Sequence, residues 1–202
     1  MAAMTIENFT NWAILDGSLQ QVPWIGPDTE EKLREHGIKT VWQLFGKHLK
    51  LGRNVGKLAS LLRECGVNAG NVNDTANAID RRVRTRGINV TVPLSESMRE
   101  TSKLTGPKRT EFVNKKLSGS LQQDFLGVGE TTVKKMNAAG VTTSDELFAQ
   151  FLALLDEPTA QFSTAPGDAF YGKLSEYGVS GYKSSVVDCI LTKLEQGIDS
   201  GR

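Results

Sequence analysis

The sequence predicts an all-α chain made of two tandem copies of one small helical domain. Two observations predict it. Gly17-Ser18-Leu19-Gln20-Gln21 recurs 102 residues later as Gly119-Ser120-Leu121-Gln122-Gln123. Around both copies, apolar residues return at helical spacing between Gly, Pro, Ser, Thr and Asn boundary signals. A chain of 202 residues suits one medium domain or two of about 100 residues each.

The duplication extends well beyond the five identities. Trp24–Leu33 stands against Gly127–Met136 after one inserted residue, and His36-Gly37-Ile38-Lys39-Thr40 against Ala139-Gly140-Val141-Thr142-Thr143. Leu44-Phe45 matches Leu147-Phe148, and Glu64-Cys65-Gly66-Val67-Asn68 matches Glu176-Tyr177-Gly178-Val179-Ser180. Ordered similarity over this length sets a first domain at 5–86, a basic, extended linker at 87–106 and a second domain at 107–200.

Each element has a local reason. Pro27 suits the first helical position, and Asp28, Glu30 and Glu31 fill the first turn. Leu33 faces the core and Gly37 follows as a C-cap. Thr40 caps a helix carrying Val41, Leu44, Phe45 and Leu49 inward. Asn54 caps the next, with Leu58, Leu61 and Leu62 inward and Gly66 ending it. Asn68 or Asn71 opens a last helix through Ala76, Ile79 and Val83. The second copy repeats the order with helices over 130–139, 144–155, 168–177 and 182–196, and a polar surface insertion over 156–167. Ile88 to Val92 alternates apolar and polar residues, but a lone strand has no partner in a helical protein, so an extended arm is expected.

Composition narrows the function classes. Hydrophobic residues make up 39%, and no stretch approaches the roughly 18 apolar residues of a membrane span. The first 16 residues have neither a basic nor an apolar signal region, so secretion and membrane insertion are not expected. Two isolated cysteines, Cys65 and Cys189, give neither a disulfide framework nor a zinc site; a nuclear or cytoplasmic location fits. Net charge is +1, but residues 81–116 hold 10 Lys+Arg against 3 Asp+Glu, while residues 117–202 hold 6 against 11. The chain is near neutral with a concentrated basic middle.

The chemistry sits in a helix, Gly-hydrophobic-Gly turn, helix pattern. In the second copy it reads Phe125-Leu126-Gly127-Val128-Gly129, with Lys134 and Lys135 one turn into the following helix. Two glycines allow a tight turn and close backbone approach to a ligand. Amides at the next helix start have no internal acceptor and suit a DNA phosphate. Such contacts touch no base edge, so binding should be independent of sequence. The first copy is a weaker version: Trp24 replaces the first glycine, Pro27 removes an amide, and Lys32 alone remains of the lysine pair. Arg81, Arg82, Arg84 and Arg86 add candidate phosphate contacts. His36 and His48 lack a ligand cluster and are expected to be structural or at the surface. Trp42 should pack in the core. Trp12 and Trp24 are candidates for stacking on a base.

Gly119–Leu121, Gly127–Glu130, the Lys134-Lys135 pair, Gly140 and the Cys65-Gly66-Val67-Asn68-Ala69 turn together resemble the barrier-to-autointegration factor family. The resemblance covers most of the chain, twice over. It implies a SAM-like, helix-hairpin-helix domain of five helices and sequence-independent double-stranded DNA binding. It also implies dimerisation that bridges or compacts DNA, here as a covalent pseudo-dimer, and, in animals, contacts with nuclear-envelope proteins. By the same resemblance, phosphate contacts fall on Gly127, Gly129, Thr131, Lys134 and Lys135, and on Gly26, Asp28 and Lys32. A second contacting turn falls on Asn68 and Ala69, and on Ser180 and Gly181. The lysine the family carries after that turn is Gly70 in the first copy and is displaced to Lys183 in the second. The two-domain form points to a divergent or virus-encoded relative, in which genome compaction or a place in the virion would be the role.

Two competing functions follow from the same residues. One is a scaffold, for example a minor capsid component, that uses the fold for protein contacts or self-association; the acidic second copy favours it. The other is a DNA-processing enzyme, which needs a metal-binding carboxylate cluster or a nucleophilic Lys in a pocket. No such constellation is present in the sequence. No cofactor, metal or small-molecule substrate is expected.

Overall fold

The computed structural model describes residues 5–11, 17–85, 88 and 90–198. Among them every regular element is helical, as expected. The first copy comprises α1 (Ile6–Asn11), a 3₁₀ turn (Leu19–Gln21), α2 (Pro27–Glu35), α3 (Val41–Lys50), α4 (Val55–Glu64) and α5 (Val72–Thr85). Next come α6 (Glu96–Thr101), α7 (Gly106–Asn114), α8 (Leu121–Asp124), α9 (Glu130–Ala138), α10 (Ser144–Leu152), α11 (Ala165–Glu176) and α12 (Lys183–Gln196).

The repeated Gly-Ser-Leu segment has a structural job. Ser18 Oγ accepts from Gln20 N at 3.2 Å and Ser120 Oγ from Gln123 N at 3.4 Å, while Leu19 and Leu121 enter the core. The preceding glycine carbonyl takes the first amide of the next long helix: Val41 N to Gly17 O at 2.9 Å, and Ser144 N to Gly119 O at 3.1 Å. Asp124 reinforces the second copy. It is buried and accepts from Ser118 N, Ser118 Oγ, Gly119 N and Ser144 Oγ at 2.7–3.0 Å. Thr40 and Asn54 cap α3 and α4 as the sequence predicts, and Thr143 completes a capping box with Glu146.

The two copies join through α3 and α10, which run antiparallel. Thr40 Oγ1 donates to Leu155 O at 2.6 Å at one end, and Arg53 meets Asp145 at 2.5–2.7 Å at the other. In the middle, Gly46 lies directly against its own counterpart: a Cβ on it would come 3.4 Å from Ala149 O and 3.2 Å from Leu152 Cβ. Equivalent positions of the two repeats thus lie against each other across this contact.

Three expectations are corrected. The segment over 87–106 is not a free arm. Ile88, Val90 and Val92 are buried, Ile88 N donates to Leu194 O at 2.8 Å, and α6 forms within the segment and packs on α12. Its alternating apolar residues find a helix instead of a neighbouring strand. The insertion over 156–167 is also partly ordered: a 3₁₀ turn spans Pro158–Phe162, and α11 already begins at Ala165, with Pro166 in its first turn. Finally, Arg82 is fully buried. Its Nη1 donates to Phe9 O at 2.9 Å and Thr10 O at 3.2 Å. In the second copy Lys193 does the equivalent work, donating to Val113 O at 2.9 Å and Lys115 O at 2.5 Å. Each copy thus uses a buried cation to tie its first helix to its last.

Candidate nucleic-acid interface

Hairpin 2 is built from α8, the Gly127-Val128-Gly129 turn and α9. Val128 is buried and anchors the turn, while Gly127 and Gly129 are exposed. Gly127 has φ +82°, the left-handed region that favours glycine. Gly129 is the N-cap of α9 and provides no side-chain cap. The first helical bond is Val133 N to Gly129 O at 3.0 Å, so the amides before it have no acceptor within the helix. Hairpin 1 repeats this backbone. Ile25 is buried, Gly26 caps α2 in an extended conformation, and Trp24 takes φ +61° where the second copy has Gly127.

In both copies the hairpin packs against the second turn named by the sequence. A Cβ on Gly66 would lie 3.2 Å from Lys32 Nζ and 3.9 Å from Thr29 Oγ1. In the second copy the side chain of Lys135, the counterpart of Lys32, runs directly against Gly178, the counterpart of Gly66. Equivalent lysines therefore lie along equivalent turns. Asn68, Ala69, Ser180 and Gly181 are exposed in those turns, and Asn68 Oδ1 accepts from Gly70 N at 2.8 Å. The turn before α12 is one residue shorter than the turn before α5, and Tyr182 closes it with φ +59°.

The charges are unequal. Around hairpin 2, Lys134 and Lys135 are exposed; Lys134 pairs with Glu130 at 2.8 Å, an exposed contact that water screens. Thr131 is exposed beside them. Around hairpin 1, Asp28 and Glu31 are exposed with Lys32. Glu30 is partly desolvated, yet donors on Arg34 and Gln20 hold its carboxyl below the ordinary range. Hairpin 1 is the poorer anion site. Lys183, the displaced lysine of the second turn, is half-buried, donates to Ser175 Oγ at 2.8 Å and sits 4.3 Å over the Tyr171 ring.

Part of the basic middle of the chain is used for structure. Besides Arg82, Arg84 is half-exposed and pairs with Asp80 at 2.8 Å, and Arg109 with Asp188 at 2.6–2.7 Å. Arg81 is exposed on α5; Arg86 and Trp12 lie outside the described residues. The signal for Arg82 was in the sequence: it follows Ile79 by three positions and adjoins Val83, on the apolar face of its helix. Sequence reasoning also missed a cleft of about 640 Å³ beside hairpin 2, between α7 and the turn. Lys108, Lys115, Phe112 and Leu126 line it, and it reaches Gly127 and Gly129.

Among the described residues, no group of three or more His, Cys, Asp or Glu is placed to hold a metal, and no helix is long and apolar enough to cross a membrane. Both cysteines are buried; desolvation pushes the Cys189 thiol up to about 12 and also raises Cys65. His36 is exposed at the end of α2. His48 is buried with Nε2 2.7 Å from Asp80 Oδ1, and Trp42 is buried in the core as expected. Comparison with protein-family models, curated proteins and solved structures finds no match.

Proposed function

We propose that this chain binds double-stranded DNA without regard to sequence, through the backbone amides and lysines of its hairpins. Hairpin 2 is the principal contact. The observation that supports this most is the paired placement of Lys32 along Gly66 and Lys135 along Gly178. It makes hairpin and second turn one surface in each copy, with main-chain amides and a cation on the same side. Two such surfaces on one chain suit bridging or compaction of duplexes, in the manner of the barrier-to-autointegration factor family. No catalytic step is part of this reading.

A mobility-shift titration with two unrelated duplexes at several salt concentrations tests it. Wild type should bind both alike and weaken steeply with salt. A Lys134→Glu/Lys135→Glu variant should bind at least tenfold more weakly, with the log–log salt slope smaller by up to about 2, since each lost phosphate contact removes about 0.9. Lys32→Glu should have a smaller effect. Unaltered binding by the double variant would place the contact elsewhere.

A scaffold role is the second reading. Phe162, at the end of the 3₁₀ turn of the insertion, is 70% exposed and has no counterpart in the first copy. Failure to bind either duplex at low salt would leave this reading as the better one.

A further inference from the structure

We infer that Trp24 and Tyr182 are stacking surfaces for unpaired bases, so that the preferred DNA is duplex carrying a gap or flap. The inference rests on the duplex-binding reading and specifies its substrate. Three large apolar side chains are exposed among the described residues: Trp24 at 43%, Tyr182 at 53% and Phe162 at 70%. Two of the three sit at the hairpins, one per copy.

They reach the same place by different routes. In the first copy Trp24 occupies the first hairpin position, so its side chain leaves from there. In the second copy that position is Gly127, and the Tyr182 side chain lies directly over it, in the space a Cβ on Gly127 would take. Each copy thus sets one aromatic ring at one point of its hairpin, from the turn itself or from the neighbouring turn. Neither ring serves the core from there, and both residues adopt a left-handed backbone that glycine adopts more easily. Ten glycines take positive φ elsewhere among the described residues; the other exception, Arg53, uses its side chain in the Asp145 ion pair.

The surroundings select the ligand. A protein-docking surface is a contiguous apolar patch. Here the exposed residues of each hairpin and its second turn are mostly polar: Asn68, Gly70 and Lys32 in one copy, and Ser180, Gly181 and Lys135 in the other; the apolar lining beside Gly127, from Phe112 and Leu126, lies in the cleft next to the turn. A flat ring on a hairpin that also carries an exposed lysine fits a base and its phosphate. Bases inside an intact duplex present no free face, so the rings act only where pairing is interrupted.

The experiment uses the full chain and fluorescence anisotropy. One probe is a duplex whose two ends are each closed by a hexaethylene glycol linker, which carries no base; the other is the same duplex with a five-nucleotide gap in one strand, so the unpaired bases of the gap are the variable. Stacking contributes a factor of roughly 5 to 150 per base, so wild type should bind the gapped probe at least fivefold more tightly. Trp24→Gly/Tyr182→Gly should lose that preference while binding the closed probe within twofold of wild type. Glycine suits both backbones, so the variant should fold. Trp24→Phe/Tyr182→Phe should keep the preference. Equal binding of both probes by wild type, or equal loss on both by the glycine variant, overturns the inference and leaves the duplex reading in place. Binding of neither probe at low salt overturns both.

Discussion

Replacing Arg82 with Ala removes a fully buried guanidinium that holds the carbonyls of Phe9 and Thr10, near the end of α1. The truncation leaves those carbonyls without their charged donor and opens a cavity under α1. Hydrogen bonds to a charged group contribute about 1.5–3 kcal/mol each, so the two together set a loss of about 3–6 kcal/mol. A domain of this size is stable by only about 5–15 kcal/mol, so the variant should lose much of its margin. Arg82→Lys should recover at least half of the loss, because Lys193 does the same work on α7 in the second copy. The assay is urea unfolding followed by circular dichroism, paired with DNA titration well below the unfolding transition. DNA affinity and its salt dependence should stay as in wild type. Unchanged stability together with a salt slope smaller by about 0.9 would mean that Arg82 reaches a phosphate, and would refute the reasoning.

The seam and the buried histidine give two further tests. Gly46→Val places methyl groups where Leu152 Cβ and Ala149 O already lie within 3.4 Å; overpacking should destabilise by about 1–3 kcal/mol, seen as a lower urea midpoint. A midpoint equal to wild type would show that α3 and α10 can move apart freely. Burial pushes the His48 ring below its ordinary value of 6.5, more than Asp80 pulls it up, so the folded chain keeps the ring neutral. The unfolded chain takes up a proton below about pH 6.5, and the stability from the neutral ring is therefore present above that pH and lost as pH falls through and below it. Each tenfold preference for the neutral ring corresponds to about 1.4 kcal/mol. Urea midpoints between pH 7 and 5 should fall more steeply for wild type than for His48→Gln; equal slopes would rule the histidine out.

The fold was legible because caps and apolar periodicity are local. Pro27, Thr40 and Asn54 announce helix starts that form where expected, and Val128, Trp42 and Leu58 are buried as their spacing predicts. The hairpins were legible as Gly-hydrophobic-Gly turns. What escaped was long-range. Arg82 reads as one of four arginines in a basic run; its spacing from Ile79 puts it on the apolar face, but the carbonyls it holds lie at the end of α1, some 70 residues earlier. Lys193 hides in the same way. Ile88 to Val92 has the period of a strand, and its true partner is a helix end more than 100 residues away. Tyr182 carries no pattern at all; its place over Gly127 follows from a turn one residue shorter than that of the first copy.

In a chain that carries both repeats, each side of the seam can differ from the other. In a dimer of identical chains every seam contact must occur twice, and a change on one side is made on both. Here the Arg53–Asp145 pair occurs once: the positions that would repeat it are Asp156 and Trp42, which cannot form an ion pair. Trp42 instead packs in the core. The hairpins show the same freedom. Hairpin 1 has Pro27 in place of an amide and Asp28, Glu30 and Glu31 beside Lys32, while hairpin 2 has both glycines and two lysines. Yet the features that survive in both copies, a lysine along the second turn and an aromatic ring at the first hairpin position, are not needed to fill the core. Trp24 in one copy and Tyr182 in the other set a ring at that position by different routes.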